Sequence, residues 1–170
     1  PRVHFDVRIA PLAGKDPYRP DGGDDVEFLI STNPGEPLLP MIRIASGGEL
    51  SRIMLAIKSV LSGADGVPTV VFDEVDTGVS GKTSRKIGIK LKQIAAGAQV
   101  LCVSHSAQIV SLADQHYYIY KEEVAGRTET RVRELDTEER VEEIARILGG
   151  IHVTDAQRAS ARELMKETWE

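Results

Sequence analysis

Val3, Phe5, Val7 and Ile9 alternate with polar residues, the period-two pattern of a half-buried strand. Residues 11–23, rich in Pro, Gly and Asp, predict a loop or long hairpin connection, and 26–31 predict the partner strand. Asn33-Pro34-Gly35-Glu36-Pro37 reads as a turn followed by an extended segment. Between 49 and 61, Leu50, Ile53, Met54, Ile57, Val60 and Leu61 recur at helical spacing, behind Ser46-Gly47-Gly48 and ending near Gly63. Residues 68–73 form a short apolar run ending in acids, as in a buried strand of a parallel sheet. The pattern then predicts a helix over 81–95, a second buried strand over 99–104 and a short helix over 107–113. A strand over 116–121 follows, paired with another over 128–135, and amphipathic helices over 137–148 and 154–168 close the chain. Strand, helix, strand, helix with short connections implies one α/β domain over 1–170 with right-handed crossovers.

Composition narrows the class. The chain has 170 residues, 41% of them hydrophobic and 28% charged, enough to bury a core. No apolar run approaches the ~18 residues of a membrane helix, and no signal-peptide pattern is present, so a cytoplasmic protein with no membrane partner is expected. The start at Pro1 rather than Met suggests a piece of something longer. The single cysteine, Cys102, excludes an intrachain disulfide and a cysteine-rich zinc site. Flanked by Val100, Leu101 and Val103, it reads as an inert core residue. A net charge of −5 is a poor match for a dedicated DNA-binding module. The middle is the exception: residues 77–113 hold Lys82, Arg85, Lys86, Lys90 and Lys92 and no acid. Lys82, Lys86 and Lys90 share one helical face, which is either a solvated surface or a stripe facing DNA or a partner.

Four short segments carry candidate chemistry. In Ala45-Ser46-Gly47-Gly48-Glu49 the glycines permit close backbone approach, and a helix start offers free N–H groups and a positive dipole end to an anion such as a phosphate. The plainer reading is a Ser N-cap and a flexible turn. Thr69-Val70-Val71-Phe72-Asp73-Glu74 delivers two carboxylates at a strand end, where α/β sheets bind ligands. Asp73 suits a hydrated Mg²⁺ and Glu74 could orient and deprotonate a water, although two solvated acids at a strand end would look the same. Val75-Asp76-Thr77-Gly78 is by itself only a turn. Ser104-His105 ends the second buried strand, where an imidazole could meet a terminal phosphate or be a satisfied structural group.

Gly81-Lys82-Thr83 imitates a P-loop but fits one poorly. The motif requires glycine at position 76, which is Asp, and the cradle would set a polyphosphate against three carboxylates with Lys82 alone opposing them.

The order and spacing of these parts resemble the C-terminal lobe of an ABC-type ATPase head. Ser46-Gly47-Gly48-Glu49 is similar to the signature motif, residues 69–74 to the Walker B strand, Asp76 to the D-loop acid and His105 to the switch histidine. Asn33-Pro34-Gly35-Glu36-Pro37, with 44–61, 72–81, 143–150 and 154–165, resembles the RecN family, bacterial SMC-like ATPases of DNA double-strand-break repair. Glu49, where most transporters carry Gln, is what such heads often show.

The resemblance implies an α/β fold, a mostly parallel sheet flanked by helices with an N-terminal β hairpin. It implies an N-terminal lobe of the same protein, carrying the Walker A motif and followed by a coiled coil, that this chain lacks. Two heads would then sandwich two ATP molecules as a homodimer. Asp73 (through Mg²⁺), Glu74 (on the attacking water) and His105 (on the γ-phosphate) would serve the nucleotide of their own head. Ser46, Gly47, Gly48 and Glu49 would cap the γ-phosphate on the opposite head, and Asp76 would work across the same interface. ATP and Mg²⁺ are the expected cofactors, with DNA engaged through the full-length protein. The alternatives are the head lobe of another SMC-like or ABC ATPase, and an interaction domain that retains the fold without the chemistry.

Overall fold

The computed structural model describes residues 3–12, 19–20, 22–31, 35–43, 46–61, 66–124, 126–150 and 152–166. Asn33, Pro34, Ile44, Ala45, Gly63 and Thr168, and most of the connection over 11–23, lie outside them. The chain forms two compact units, Pro1–Leu50 and Ser51–Glu170.

The first unit is an antiparallel sheet. Strand β1 (His4–Pro11) pairs with β2 (Asp24–Ser31), Phe5 opposite Ile30 and Val7 opposite Phe28, and β2 pairs with the two-residue β3 (Leu39–Pro40). Phe5 and Phe28 stack with centroids 5.8 Å apart, and Arg8 and Glu27 form a cross-strand ion pair. The hairpin is as expected, but β1 is not half-buried: every one of its residues is exposed, and Ile30 and Ser31 of β2 are the buried ones. Alternation marks a face able to pack; it does not supply what packs there.

Helix α1 (Gly47–Leu61) begins at the end of this unit and continues in the second. The second unit is built on a β-α-β element. Strand β4 (Thr69–Asp73) lies parallel to β5 (Gln99–Val103), with helix α2 (Gly81–Ala95) between them in sequence. The expected parallel sheet is thus a pair of strands, and the other ladder of this unit is antiparallel, β6 (Tyr117–Val124) with β7 (Arg127–Glu134). Helices α3 (Ala107–Val110), α4 (Thr137–Gly149) and α5 (Asp155–Lys166) complete it. Helix α4 starts in a reciprocal capping box between Asp136 and Glu139.

Two apolar clusters hold the second unit together. One joins Leu55 of α1, Phe72 and Val75, Ile87, Leu91 and Ile94 of α2, and Ile109 of α3. The other joins Ala107 and Val110 of α3 to Val141, Ile144 and Ala145 of α4 and Ala161 of α5. The single turn of α3 therefore serves both. Gly88 lets α2 lie against it, since a Cβ there would come 3.3 Å from the Gln108 carbonyl oxygen and 3.4 Å from Ile109 Cα.

Three burial expectations are corrected. Strands β4 and β5 are only partly covered: Phe72 is buried, while Val71, Leu101 and Val103 on the opposite face are exposed. Helix α1 buries Leu55, whereas Met54, Val60 and Leu61 of the predicted apolar stripe are exposed. Cys102 is exposed rather than in the core. Its thiol is nevertheless pushed up to about 12, first by the atoms crowding the sulfur and then by the charges of Asp76 and Asp73.

Candidate functional site

Parallel pairing in the register Asp73 opposite Val103 brings the C-terminal ends of β4 and β5 to one edge of the sheet. That edge is where open α/β sheets gather ligands. Asp73 closes β4 with its side chain exposed, and the next residue, Glu74, is exposed with φ 54°, a left-handed conformation uncommon outside glycine. The reversal sends Val75 into the core, fully buried, and turns Asp76 inward behind it. The turn is closed by the Thr77 amide donating to the Glu74 carbonyl at 3.0 Å, with Gly78 at φ 74°.

Asp76 has a side chain 1% exposed and bound to its own chain. One carboxylate oxygen, Oδ2, accepts from the Ser104 hydroxyl at 2.9 Å and the His105 amide at 3.1 Å, and lies 3.7 Å from His105 Nδ1. The His105 side chain is 79% exposed. Asp73, Glu74, Asp76 and His105 are therefore assembled at one strand-end edge, three of them presented outward and one holding the loop behind.

Helix α1 is tied to this edge by two residues that motif reading passed over. Ser51 donates from Oγ to the Asp73 carbonyl at 2.7 Å, and Arg52 donates from Nη1 to the Thr77 carbonyl at 2.8 Å. The signal available was their position one and two residues after Leu50, on the side of the helix that carries Leu55.

Ser46, Gly47, Gly48 and Glu49 belong to the first unit. Ser46 is an N-cap, its Oγ accepting from the Glu49 amide at 3.2 Å and its carbonyl from the Leu50 amide at 3.1 Å. The N-cap of the plain reading is thus present, and among the described residues the amides of Gly47, which is exposed, and Gly48, which is buried, have no hydrogen-bond partner. In the basic run, Lys82 and Lys86 are exposed, Lys90 donates to Gln93 at 3.0 Å, and Lys92 pairs with Asp114.

A groove of about 430 Å³ between β7 and α4, lined by Glu138, Glu139, Glu142 and Glu143, is a separate feature. Each of those carboxylates pairs with an arginine (Arg162, Arg133, Arg158 and Arg146 respectively), so the groove offers no uncompensated charge.

The described residues contain no cluster of three or more His, Cys, Asp or Glu able to cage a metal. A magnesium ion on a nucleotide does not need one. It takes one or two carboxylates, several waters and phosphate oxygens, and the exposed Asp73 carboxylate fits that partial role. No described helix is long and apolar enough to cross a membrane.

Comparison with known proteins bears on the same chain. No family model matches it. It is 52% identical over 165 residues to the DNA repair protein RecN of Halalkalibacterium halodurans, a match covering 96% of this chain and 29% of that protein. It is 49% identical over 160 residues to the RecN of Bacillus subtilis, covering 93% of this chain and 28% of that protein. Among solved structures, the Smc head domain with a coiled coil and joint from Pyrococcus yayanosii superposes with a TM-score of 0.54 at 18% identity, covering 82% of this chain and 25% of that one. That likeness is one of fold, an SMC-type head architecture. The chain spans less than a third of the length of the RecN proteins it matches. With identity of this order running along nearly its whole length, the chain belongs to the RecN family.

Proposed function

We propose that this chain is the C-terminal lobe of the ATPase head of an ATP-dependent DNA double-strand-break repair protein, and that it contributes half of a nucleotide clamp. The observation that carries the reading is the convergence at one sheet edge of two outward carboxylates, Asp73 and Glu74, with an outward imidazole, His105. A purely structural strand end has no need of all three.

In this reading Asp73 holds the magnesium of a nucleotide bound by the N-terminal lobe of the same protein, and that ion supplies charge neutralisation to the phosphates. Glu74 accepts a proton from the attacking water at its carboxylate, and its left-handed backbone is what aims it away from the strand. His105 donates to the terminal phosphate. Ser46 and the amides of Gly47 and Gly48 meet the terminal phosphate of the nucleotide on a second head, with Glu49 in the same helix turn. A phosphate held between two protein surfaces makes head association depend on its presence, and hydrolysis removes the bridge.

Bare apolar surface supports the partial nature of the chain. Val71, Leu101 and Val103 on the open face of the β4–β5 pair are about half exposed or more, and so is Val60 of α1. They suit the N-terminal lobe as a covering. As a DNA-directed ATPase the protein would work in the cytoplasm. The isolated chain is expected to hydrolyse no ATP above buffer.

The test is Glu74→Gln in the full-length protein, with ATP binding and steady-state turnover measured side by side. Binding should be retained and turnover should fall by ~10²–10⁴, the range of a general base. Unchanged turnover would remove Glu74 from the role.

A further inference from the structure

Asp76 is a buried carboxylate whose partners all lie on the loop that carries His105. Its Oδ2 accepts from the Ser104 hydroxyl and from the His105 amide, at 2.9 and 3.1 Å. Ser104 Oγ in turn accepts from the Ser106 amide at 3.1 Å, and Ser106 is the N-cap of α3. Three consecutive residues are thus held by one side chain, directly or through Ser104. The ring of His105 has Nδ1 3.7 Å from the same oxygen and is otherwise in solvent, which leaves Nε2 to face a ligand. Asp76 Oδ1 is also buried and has no hydrogen-bond partner among the described residues. A buried acceptor left unmade is costly, so this side chain is poorly explained as packing.

We propose that Asp76 is a positioning residue that acts within its own head through His105. It fixes the loop after β5 so that the imidazole is presented at the strand-end edge beside Asp73 and Glu74, and it touches neither nucleotide nor second head. A carboxylate suits this place because the two groups facing it are both donors. The inference rests on the proposed assignment of His105 to the phosphate and adds the residue that sets its geometry. It also reverses the direction expected of Asp76, from across the head interface to inside one head.

The experiment is a double-mutant cycle in the full-length protein. Steady-state kcat and KM for ATP, and ATP-dependent self-association, are measured for Asp76→Ala, Asp76→Asn, His105→Ala and the double Asp76→Ala/His105→Ala. His105→Ala should lower kcat by ~10² and Asp76→Ala by ~10–100-fold, with KM within about twofold and self-association retained. The double variant should be no slower than His105→Ala within about threefold, because a residue that works through another has nothing left to lose once the other is gone. Asp76→Asn keeps one acceptor oxygen and should recover part of the loss. Losses that multiply in the double variant would overturn the proposal. So would loss of ATP-dependent self-association in Asp76→Ala with ATP binding intact, the signature of a residue reaching across. If Asp76→Ala fails to fold, Ser104→Ala, which removes one donor and keeps the carboxylate, enters the same cycle with the same criterion. A His105→Ala protein with wild-type kcat would instead overturn the assignment of His105, and this inference with it.

Discussion

Glu74 carries the left-handed backbone, φ 54°, at the position proposed for the general base, so stability and turnover should separate there. Holding an L-residue in that region costs roughly 1–2 kcal/mol. Glycine escapes the cost but gives back about 0.4–1 kcal/mol through the freedom it adds to the unfolded chain. At the midpoints of the two ranges Glu74→Gly is about 0.8 kcal/mol more stable than Glu74→Ala, which keeps the strain and loses only the exposed side chain. In a chain of 170 residues about 1 kcal/mol corresponds to roughly 2–4 °C in Tm. Glu74→Gln retains both the strain and the shape, so its stability should stay within about 0.5 kcal/mol of the parent. Urea titration of the chain followed by circular dichroism measures these differences, provided the slope is the same for all variants. In the full-length protein, turnover of Glu74→Gly should be at or below that of Glu74→Gln. The reasoning fails if Glu74→Gly is no more stable than Glu74→Ala, since the backbone at 74 would then not be strained.

Other expected outcomes follow from burial and charge. Cys102, exposed but with its thiol pushed up to about 12, should react with iodoacetamide at pH 8 about 10²–10³-fold more slowly than a free cysteine, and a rate equal to the free thiol would contradict the crowding and carboxylate effects named for it. Because the thiolate is disfavoured in the folded chain, Cys102 should also withdraw stability as pH rises above about 9 toward 12, a loss that Cys102→Ser abolishes. His116 is held below its usual value of 6.5, first by burial and then by Arg140, with Glu143 opposing. The unfolded chain therefore takes up the proton first, and stability should fall as pH drops below 6.5. His116→Asn should flatten urea midpoints between pH 7.5 and 5. Ile144 has no exposed surface, and Ile144→Ala should cost about 2–5 kcal/mol in the same titration, whereas a loss below about 1 kcal/mol would mean that the cluster between α3, α4 and α5 is not close-packed.

Local pattern carried much of this protein into view. Helix α2 occupies the residues its periodicity predicts, 81–95, and β4 and β5 end where the acidic and the Ser-His segments end them. These features depend on near neighbours along the chain: a repeat of 3.6, a run of β-branched residues, a carboxylate or serine at the boundary. The motif order was legible for the same reason, since it is a property of spacing.

Which surfaces are covered was not legible. Leu55 faces the core while Val60, on the stronger apolar stripe, is 85% exposed, and Cys102 sits among apolar neighbours in sequence yet outside the core. Amphipathicity says that a face can pack, and only the arrangement of other elements says whether anything does. The inward turn of Asp76 is of the same kind. It needs the reversal at Glu74 and two donors on a loop 28 and 29 residues away, which become neighbours only when β4 and β5 pair in parallel. Likewise Gly88 is favoured by the backbone of Gln108 and Ile109 in α3, a contact between helices rather than a property of α2. Spacing along the chain was enough to choose the chemistry and its order. Direction, exposure and partnership came from contacts between segments far apart in sequence, because burial and hydrogen bonding are pairwise quantities that a one-dimensional pattern does not contain.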